Sequence, residues 1–535
     1  MKNNEEESHL LDLSSRISDL QKNKIQWKKI ILISSASFII LGLIIVIIIL
    51  ILTNNKSKES KNELIGEINC IYDIRDITEE VNILGNDFQK NSDFDIYIDG
   101  HLIKYSKTYK FEKNKLYNIQ FKLYESLNMD YMFKNISSLT KVEMTSDKFS
   151  KIISMKSSFE NSSNLESFTI DGFNISEIKS MKKLFYNTSL IKLNLSNFDT
   201  NNVEDMSYML SNTKLEEFNA SILSSINVKD ISHMFSGCQS LTSLNLALFD
   251  TKQVRNMSYL FAECESLSYL DLCKFDSSLV EDMSFMFYGC ISLINLNLSN
   301  FNTSLVIDMS YMLSECFSLL SLDISKFDTH KVRNMSHMFN YCNKLNEINI
   351  SHFNTSEVID MSNMFSFCNS LIFLNISNFD TKNVIDISYM FYHCNQIENL
   401  NLSNFDTKNV KNMSYLFGEC TKLKELDINN LDTSNAIDIS GLFMGCLSIN
   451  NLDISHFIVN KVQNISHIFE NCLELKNFNI IPFNTEQVKD FSYAFKSCSS
   501  LTSIDLSSFN INSALNMSSM FEDCFNLQNL IFRSI

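Results

Sequence analysis

The chain of 535 residues has very little proline and glycine, with a single proline, Pro482, and ten glycines, so long flexible linkers are excluded. It contains no HExxH, GxSxG, P-loop or GxGxxG motif, and its nine histidines are scattered. The residues therefore point to no enzyme. There is no CxxC, no Cys/His ligand spacing and no EF-hand or RTX-type loop, so neither a metal site nor a cofactor is expected. Cations are in the minority, 45 Lys and Arg against 62 Asp and Glu, for a net charge of −17 and a pI near 5.1. No basic stripe would track phosphates, which excludes nucleic acid as a partner. Such a charge suits a solvated, self-repelling surface.

What the chain has in abundance is one stretch of about 26 residues, repeated from Met129 to the C-terminus. One copy runs Asn256-Met-Ser-Tyr-Leu-Phe-Ala-Glu-Cys-Glu-Ser-Leu-Ser-Tyr-Leu-Asp-Leu-Cys-Lys-Phe-Asp-Ser-Ser-Leu-Val-Glu281. About sixteen copies align on Met129, Met155, Met181, Met206, Ile231 and onward to Met517. A fixed period of this length predicts a solenoid in which each repeat is one turn. Within a copy, Met257, Leu260, Phe261 and Cys264 recur at i, i+3, i+4 and i+7, the apolar stripe of a short helix. The Asp or Asn before each stripe, from Asp205 to Asn516, reads as a helix N-cap. Leu270 and Leu272 alternate as in a strand, and Phe327-Asp328-Thr329 suits an Asx-type turn. The expected fold is a leucine-rich-repeat-like α/β solenoid, a parallel sheet plus short helices.

Pieces such as Leu293-Ile-Asn-Leu-Asn-Leu-Ser-Asn-Phe-Asn-Thr303 and Asp308-Met-Ser-Tyr-Met-Leu-Ser-Glu-Cys316 resemble the leucine-rich-type repeats of BspA-like surface proteins, also called DUF285. The resemblance covers roughly residues 129–535. It implies a cell-surface protein associated with adhesion. The chain departs from the pattern in its early copies, which lack the cysteine, and in its last copy, which stops at Ile535 before any cap.

Ahead of the repeats, residues 1–29 form a polar tail, expected to be cytosolic, with Glu6-x-x-x-Leu10-Leu11 matching an acidic dileucine sorting signal. Residues 30–52, from Ile30 to Leu52, carry no charge and are long enough for a transmembrane signal anchor. Trp27 and Lys28-Lys29 suit its entry, and the excess of cations before the span predicts a single-pass type II protein with extracellular or luminal repeats. Residues 53–64 read as a stalk and 65–127 as a small β-rich module capping the solenoid edge. In that module Phe94–Tyr105 predicts a hairpin about Asp99-Gly100.

Twelve cysteines form one column: Cys238, Cys264, Cys290, Cys316, Cys342, Cys368, Cys394, Cys420, Cys446, Cys472, Cys498 and Cys524. Their place on the apolar stripe predicts small buried thiols. Cys70 and Cys273 lie outside it. The candidate binding face is the Asp/Asn column inside the strands: Asn245, Asp271, Asn297, Asp323, Asn349, Asn375, Asn401, Asp427, Asp453, Asn479 and Asp505. Flanked by inward leucines and isoleucines, these side chains should face outward, to meet a protein or glycan ligand or to bond from coil to coil. Asn302 and Asn354, in turns, are the better glycosylation acceptors among many sequons. His233, His337 and His467 share one position expected to face solvent. The expected function is a membrane-anchored, non-enzymatic adhesion surface acting through many weak contacts. The alternatives are a receptor or sorting protein using its tail, and a structural coat protein that self-associates through its C-terminal edge.

Overall fold

Alternation sets the first strand: Ile68, Cys70, Tyr72 and Ile74 point inward and are almost fully buried, while the residues between them are half-exposed. The computed structural model describes residues 22–24, 26, 42, 44–49, 63–476, 480 and 483–532. The chain divides into two compact units, Met1–Leu64 and Ile65–Ile535. In the first unit, residues 22–24, 26, 42 and 44–49 are helical. No helix among the described residues is long and apolar enough to cross a membrane. Apart from 42 and 44–49, the candidate span 30–52 lies outside the described residues, as do most of the tail and stalk.

The second unit opens with β1 (Gly66–Ile74), β2 (Val81–Asn82), β3 (Phe94–Ile98), β4 (His101–Ile103), β5 (Thr108–Tyr109), β6 (Lys115–Leu123), β7 (Leu127–Asn128), β8 (Leu139–Thr145), β9 (Ile152–Ser154) and β10 (Ser167–Asp171). β3 and β4 form an antiparallel hairpin across Asp99 and Gly100, whose φ angles of 47° and 81° match the two left-handed residues of a type I′ turn. A six-stranded sheet runs β10-β8-β1-β6-β3-β4. Within it β1 pairs antiparallel with β8, the strand of the first coil, and β8 pairs parallel with β10 of the second.

From there the chain winds into a β-solenoid of about 15 turns with very little helix. The predicted helices are corrected by the backbone hydrogen bonds. In the copy beginning at Met257, the amides of Met257, Tyr259, Phe261 and Glu263 donate to Asp282, Ser284, Met286 and Tyr288 of the next coil, at 2.6–3.1 Å. The alternate amides, Leu260, Ala262 and Cys264, donate to the carbonyls of Met257, Tyr259 and Phe261, closing tight turns. The remaining amide, Ser258, donates to Asn256 Oδ1 at 2.9 Å. Every donor is thus satisfied without a single i−4 bond. Tyr259 and Glu263 sit at φ 56° and 57°, left-handed positions that reverse the chain and that no α-helix accommodates.

Thickness explains the outcome. Helices need about 8–10 Å between axes, whereas stacked strands need about 4.8 Å. Here the turn side is hydrogen-bonded from coil to coil as tightly as the strand side, so a helix has no room. The apolar spacing nevertheless names the right buried residues, with Met257, Leu260, Phe261 and Cys264 all at 1% exposure or less. The expected N-cap residues instead hold Asx turns and form a chain of parallel bridges from Ser180 through Asp205, Asp230 and Asn256 to Asn516. On the opposite side the strands are short and pair parallel one coil apart, as in Asn295–Asn297 with Ser321–Asp323 and Glu347–Ile348 with Phe373–Leu374.

Two further columns hold the stack together. Phe339, Phe365, Phe391, Phe417 and Phe443 stack ring on ring at 5.5–6.0 Å through the core. Buried threonines clamp coil to coil: Thr329 Oγ1 donates to Asn354 O and accepts from Asn354 N, both at 2.8 Å. The coils from Met181 to Met206 and from Met206 to Ile231 have 25 residues, one fewer than the rest. The lost residue follows Thr188 and Thr213, whose hydroxyls bond the carbonyl three residues back in their own coil. Ser162 and the cysteines reach the preceding coil instead.

Candidate binding face

The strand face is made of residues that the inward leucines leave pointing out. Asn245, Asp271, Asn297, Asp323, Asn349, Asn401, Asp427 and Asp453 are exposed, and Asn375 and Asp505 half-buried. Asn479 lies outside the described residues. Among the described residues of the column, no side chain bonds from coil to coil. Each described member carries the turn that ends its strand, as Asn297 Oδ1 accepts from Ser299 N at 2.9 Å and Asp323 Oδ1 from Ser325 N at 3.0 Å. Asn349, Asn375 and Asn401 bond Ser351, Ser377 and Ser403 in the same way. One oxygen is committed to the turn and the second polar atom of each side chain stays on the surface. These turn bonds, from Cys273 N to Asp271 and from the Ser325 side chain to Asp323, hold both carboxyls below the ordinary range.

Two positions upstream of this column the residue type changes freely: Ser243, Tyr269, Asn295, Ser321, Glu347, Phe373 and Asn399. Shallow concavities of about 580, 390 and 440 Å³ open along the face, over coils beginning near Ser167, Tyr269 and Leu320. The first is lined by Lys192, Glu217, Asn194 and Asn219 over Phe168 and Phe218, beside the two short coils.

The cysteine column forms a continuous rail of thiols. All fourteen cysteines are free, and every member of the column is buried except Cys524, which is half-buried. Each sulfur donates to a carbonyl of the preceding coil, from Cys238 Sγ on Leu210 O at 3.2 Å to Cys524 Sγ on Phe495 O at 2.9 Å. Burial pushes Cys290, Cys368, Cys420 and Cys472 up to about 12, so they stay protonated as donors. Cys273, on the strand face, is exposed, and its hydrogen bond with Asp271 raises it.

His233, His337 and His467 do not project into solvent but are half-buried. Tyr208, His233, Tyr259, Phe285, Tyr311 and His337 form a half-buried ladder of parallel rings, 4.1–4.4 Å between centroids. His467 stacks on Tyr493 at 4.8 Å. Burial brings His233 down to about 4 and lowers His337. The helix pattern places these positions on an outer, solvent-facing side, whereas the aromatic ring recurring in one column is the sequence signal of stacking. Asn302 and Asn354 are exposed, each in an Asx turn with the serine two residues on. Among the described residues no group of three His, Cys, Asp or Glu side chains is arranged to hold a metal.

The chain matches the family described as Mycoplasma protein of unknown function, DUF285, over residues 127–228, 216–321, 292–399, 314–426, 370–477 and 448–533. No curated protein matches. Among solved structures, a leucine-rich repeat protein from Eubacterium ventriosum aligns at 15% identity over 72% of this chain and 90% of its own, with a TM-score of 0.30. A leucine-rich repeat protein from Leptospira interrogans aligns at 12% identity over 69% and 77%, with a TM-score of 0.20. With family matches running from 127 to 533, well over half its length, the chain belongs to the DUF285 family of repeat proteins.

Proposed function

We propose that this chain is a membrane-anchored surface protein, single-pass and type II, whose solenoid is a non-enzymatic binding surface for a protein or glycan partner. The observation that carries the reading is the contrast between columns. Inward positions stay apolar along the stack, while outward strand positions range over Tyr269, Asn295, Ser321, Glu347 and Phe373. A surface whose residues are free of packing duty is available for recognition. The uncharged run 30–52 and its cationic approach support the anchor and its orientation. The pairing of β1 with β8 supports a capping role for the 65–127 module, since a covered edge cannot recruit a stray strand. Exposed Asn302 and Asn354 would then carry glycans if the repeats enter a glycosylating secretory route.

Protease shaving of intact cells carrying an epitope tag at each end tests the topology. Loss of the C-terminal tag with protection of the N-terminal tag is the expected result. Protection of both until permeabilisation would remove the adhesion reading in favour of an internal scaffold.

A further inference from the structure

The repeat supplies its own control for the strand face. Two outward columns, the residue before each strand and its first residue, hold Thr242 and Ser243 in one coil, Glu398 and Asn399 in another, and Asn450 and Asn451 in a third. Nothing in the stacking therefore requires an apolar side chain there. Yet between Tyr269 and Phe373 the same columns present Tyr269, Ile294, Leu320, Ile372 and Phe373, exposed by 41–69%. The two concavities of about 390 and 440 Å³ lie at this patch. Large apolar groups clustered in water on one face mark an interaction site.

Charge limits what can cover it. Asp271, Asp323 and Glu347 rim the patch, and among the described residues none of them forms an ion pair. The strand columns of these coils hold no Lys or Arg; the cations flanking them along the chain, Lys274 and Lys326 beyond the turn and Lys344 ahead of the strand, are not paired with these carboxylates. Three of the apolar residues are aliphatic and offer no ring face to a sugar, but they gain from removing another apolar surface from water. The patch crosses four coil spacings, about 19 Å at the strand separation, which about six extended residues would span.

We propose that this patch docks an extended segment of a partner polypeptide, about six residues carrying large apolar side chains and lysine or arginine. Its apolar side chains lie against Ile294, Leu320 and Ile372, and its cations pair with Asp271, Asp323 and Glu347. The inference rests on the solenoid being a binding surface and names the chemistry of what is bound.

The test selects a displayed library of random 12-residue peptides on the full-length protein in detergent. Depletion uses a variant with Tyr269→Asn, Leu320→Thr, Ile372→Thr and Phe373→Asn, residue types that other coils hold in the same columns. Enriched peptides should carry net positive charge and at least two large apolar residues. They should bind the native protein at least tenfold more tightly than the variant and weaken as salt rises. A second variant, Asp271→Asn with Asp323→Asn and Glu347→Gln, should bind them with a flatter salt dependence. Enrichment of acidic or neutral peptides, equal binding to the native protein and the first variant, an unchanged salt dependence in the second, or binding of an arrayed glycan in place of any peptide would overturn the proposal. If cells carrying the first variant still adhere, the patch fails and the surface-binding reading stands. If native cells do not adhere and shaving spares the repeats, it is that reading which fails.

Discussion

The two sides of a coil are built on different terms. On the turn side the coil beginning at Met257, like most others, shares with its neighbour four backbone hydrogen bonds from one eight-residue segment, a thiol bond and a stacked ring. On the strand side, beyond the first two coils, regular pairing covers at most four residues per coil, and the outward side chains of the Asp/Asn column bond locally to their own turns. Cohesion is concentrated where the helix pattern was read, and the strand side is left to vary. Residue identity is accordingly constrained on one side and informative on the other.

That contrast breaks or sharpens under mutation. Phe391→Ala removes a fully buried ring from the core stack and should cost about 3–5 kcal/mol in denaturant unfolding. Because coils couple mainly to their neighbours, the transition should also split in two. Phe373→Ala, on the exposed strand face, should stay within about 0.5 kcal/mol. Equal costs would mean that cohesion is spread evenly around the coil.

The thiol rail gives the next effect. Cys394→Ala loses its bond to Phe365 O and leaves a small void, about 1–2 kcal/mol. Cys394→Ser should cost less, since Ser162 makes the same bond to Phe133 O. A thiol reagent on the native protein at pH 8 should label Cys273 and Cys524 and spare the buried twelve. Labelling along the whole rail would show that the turn side opens readily.

Much of this architecture is legible in the amino-acid sequence. The period, the buried stripe Met257, Leu260, Phe261 and Cys264, and the outward Asn297 and Asp323 all followed from spacing. The conformation of the stripe did not, because i, i+3, i+4 and i+7 describes which residues turn inward and not how the backbone brings them there. Tyr259 and Glu263 carry no mark of a left-handed residue. Their columns do: Gly441 in one, and Gly237, Gly289 and Gly445 in the other, hold glycine at φ 58–72°. Read down the columns, those glycines argue against a helix. The role of Asn297 as a turn acceptor was likewise hidden, since the strand pattern fixes its direction and not its partner.

The ring ladder on the turn side should make that side respond to acid. His233 titrates near 4 in the folded chain against an ordinary value of 6.5, because burial disfavours its charged form. The unfolded chain therefore binds the proton first. Stability is full above about pH 6.5 and falls as pH drops from there through about 4, by about 1 kcal/mol once solvent screening is allowed for. His233→Tyr keeps a ring between Tyr208 and Tyr259 and should flatten this part of the profile. An unchanged slope would assign the acid sensitivity to other groups.

The smallest effects separate two kinds of residue on the strand side itself. Asn401 bonds Ser403 N at 3.0 Å, so Asn401→Ala should cost about 0.5–1 kcal/mol, as the loss of a cap does, while Asn401→Asp keeps the acceptor and should be neutral. Asn399, two residues earlier and exposed, takes no part in a turn, and Asn399→Ala should leave unfolding unchanged. The Asp/Asn column would then owe its regularity to the turns it closes, and recognition would belong to the column that varies. Should Asn399→Ala prove as costly as Asn401→Ala, the variable column also supports the coil, and a change of residue there could no longer be read as a change of partner.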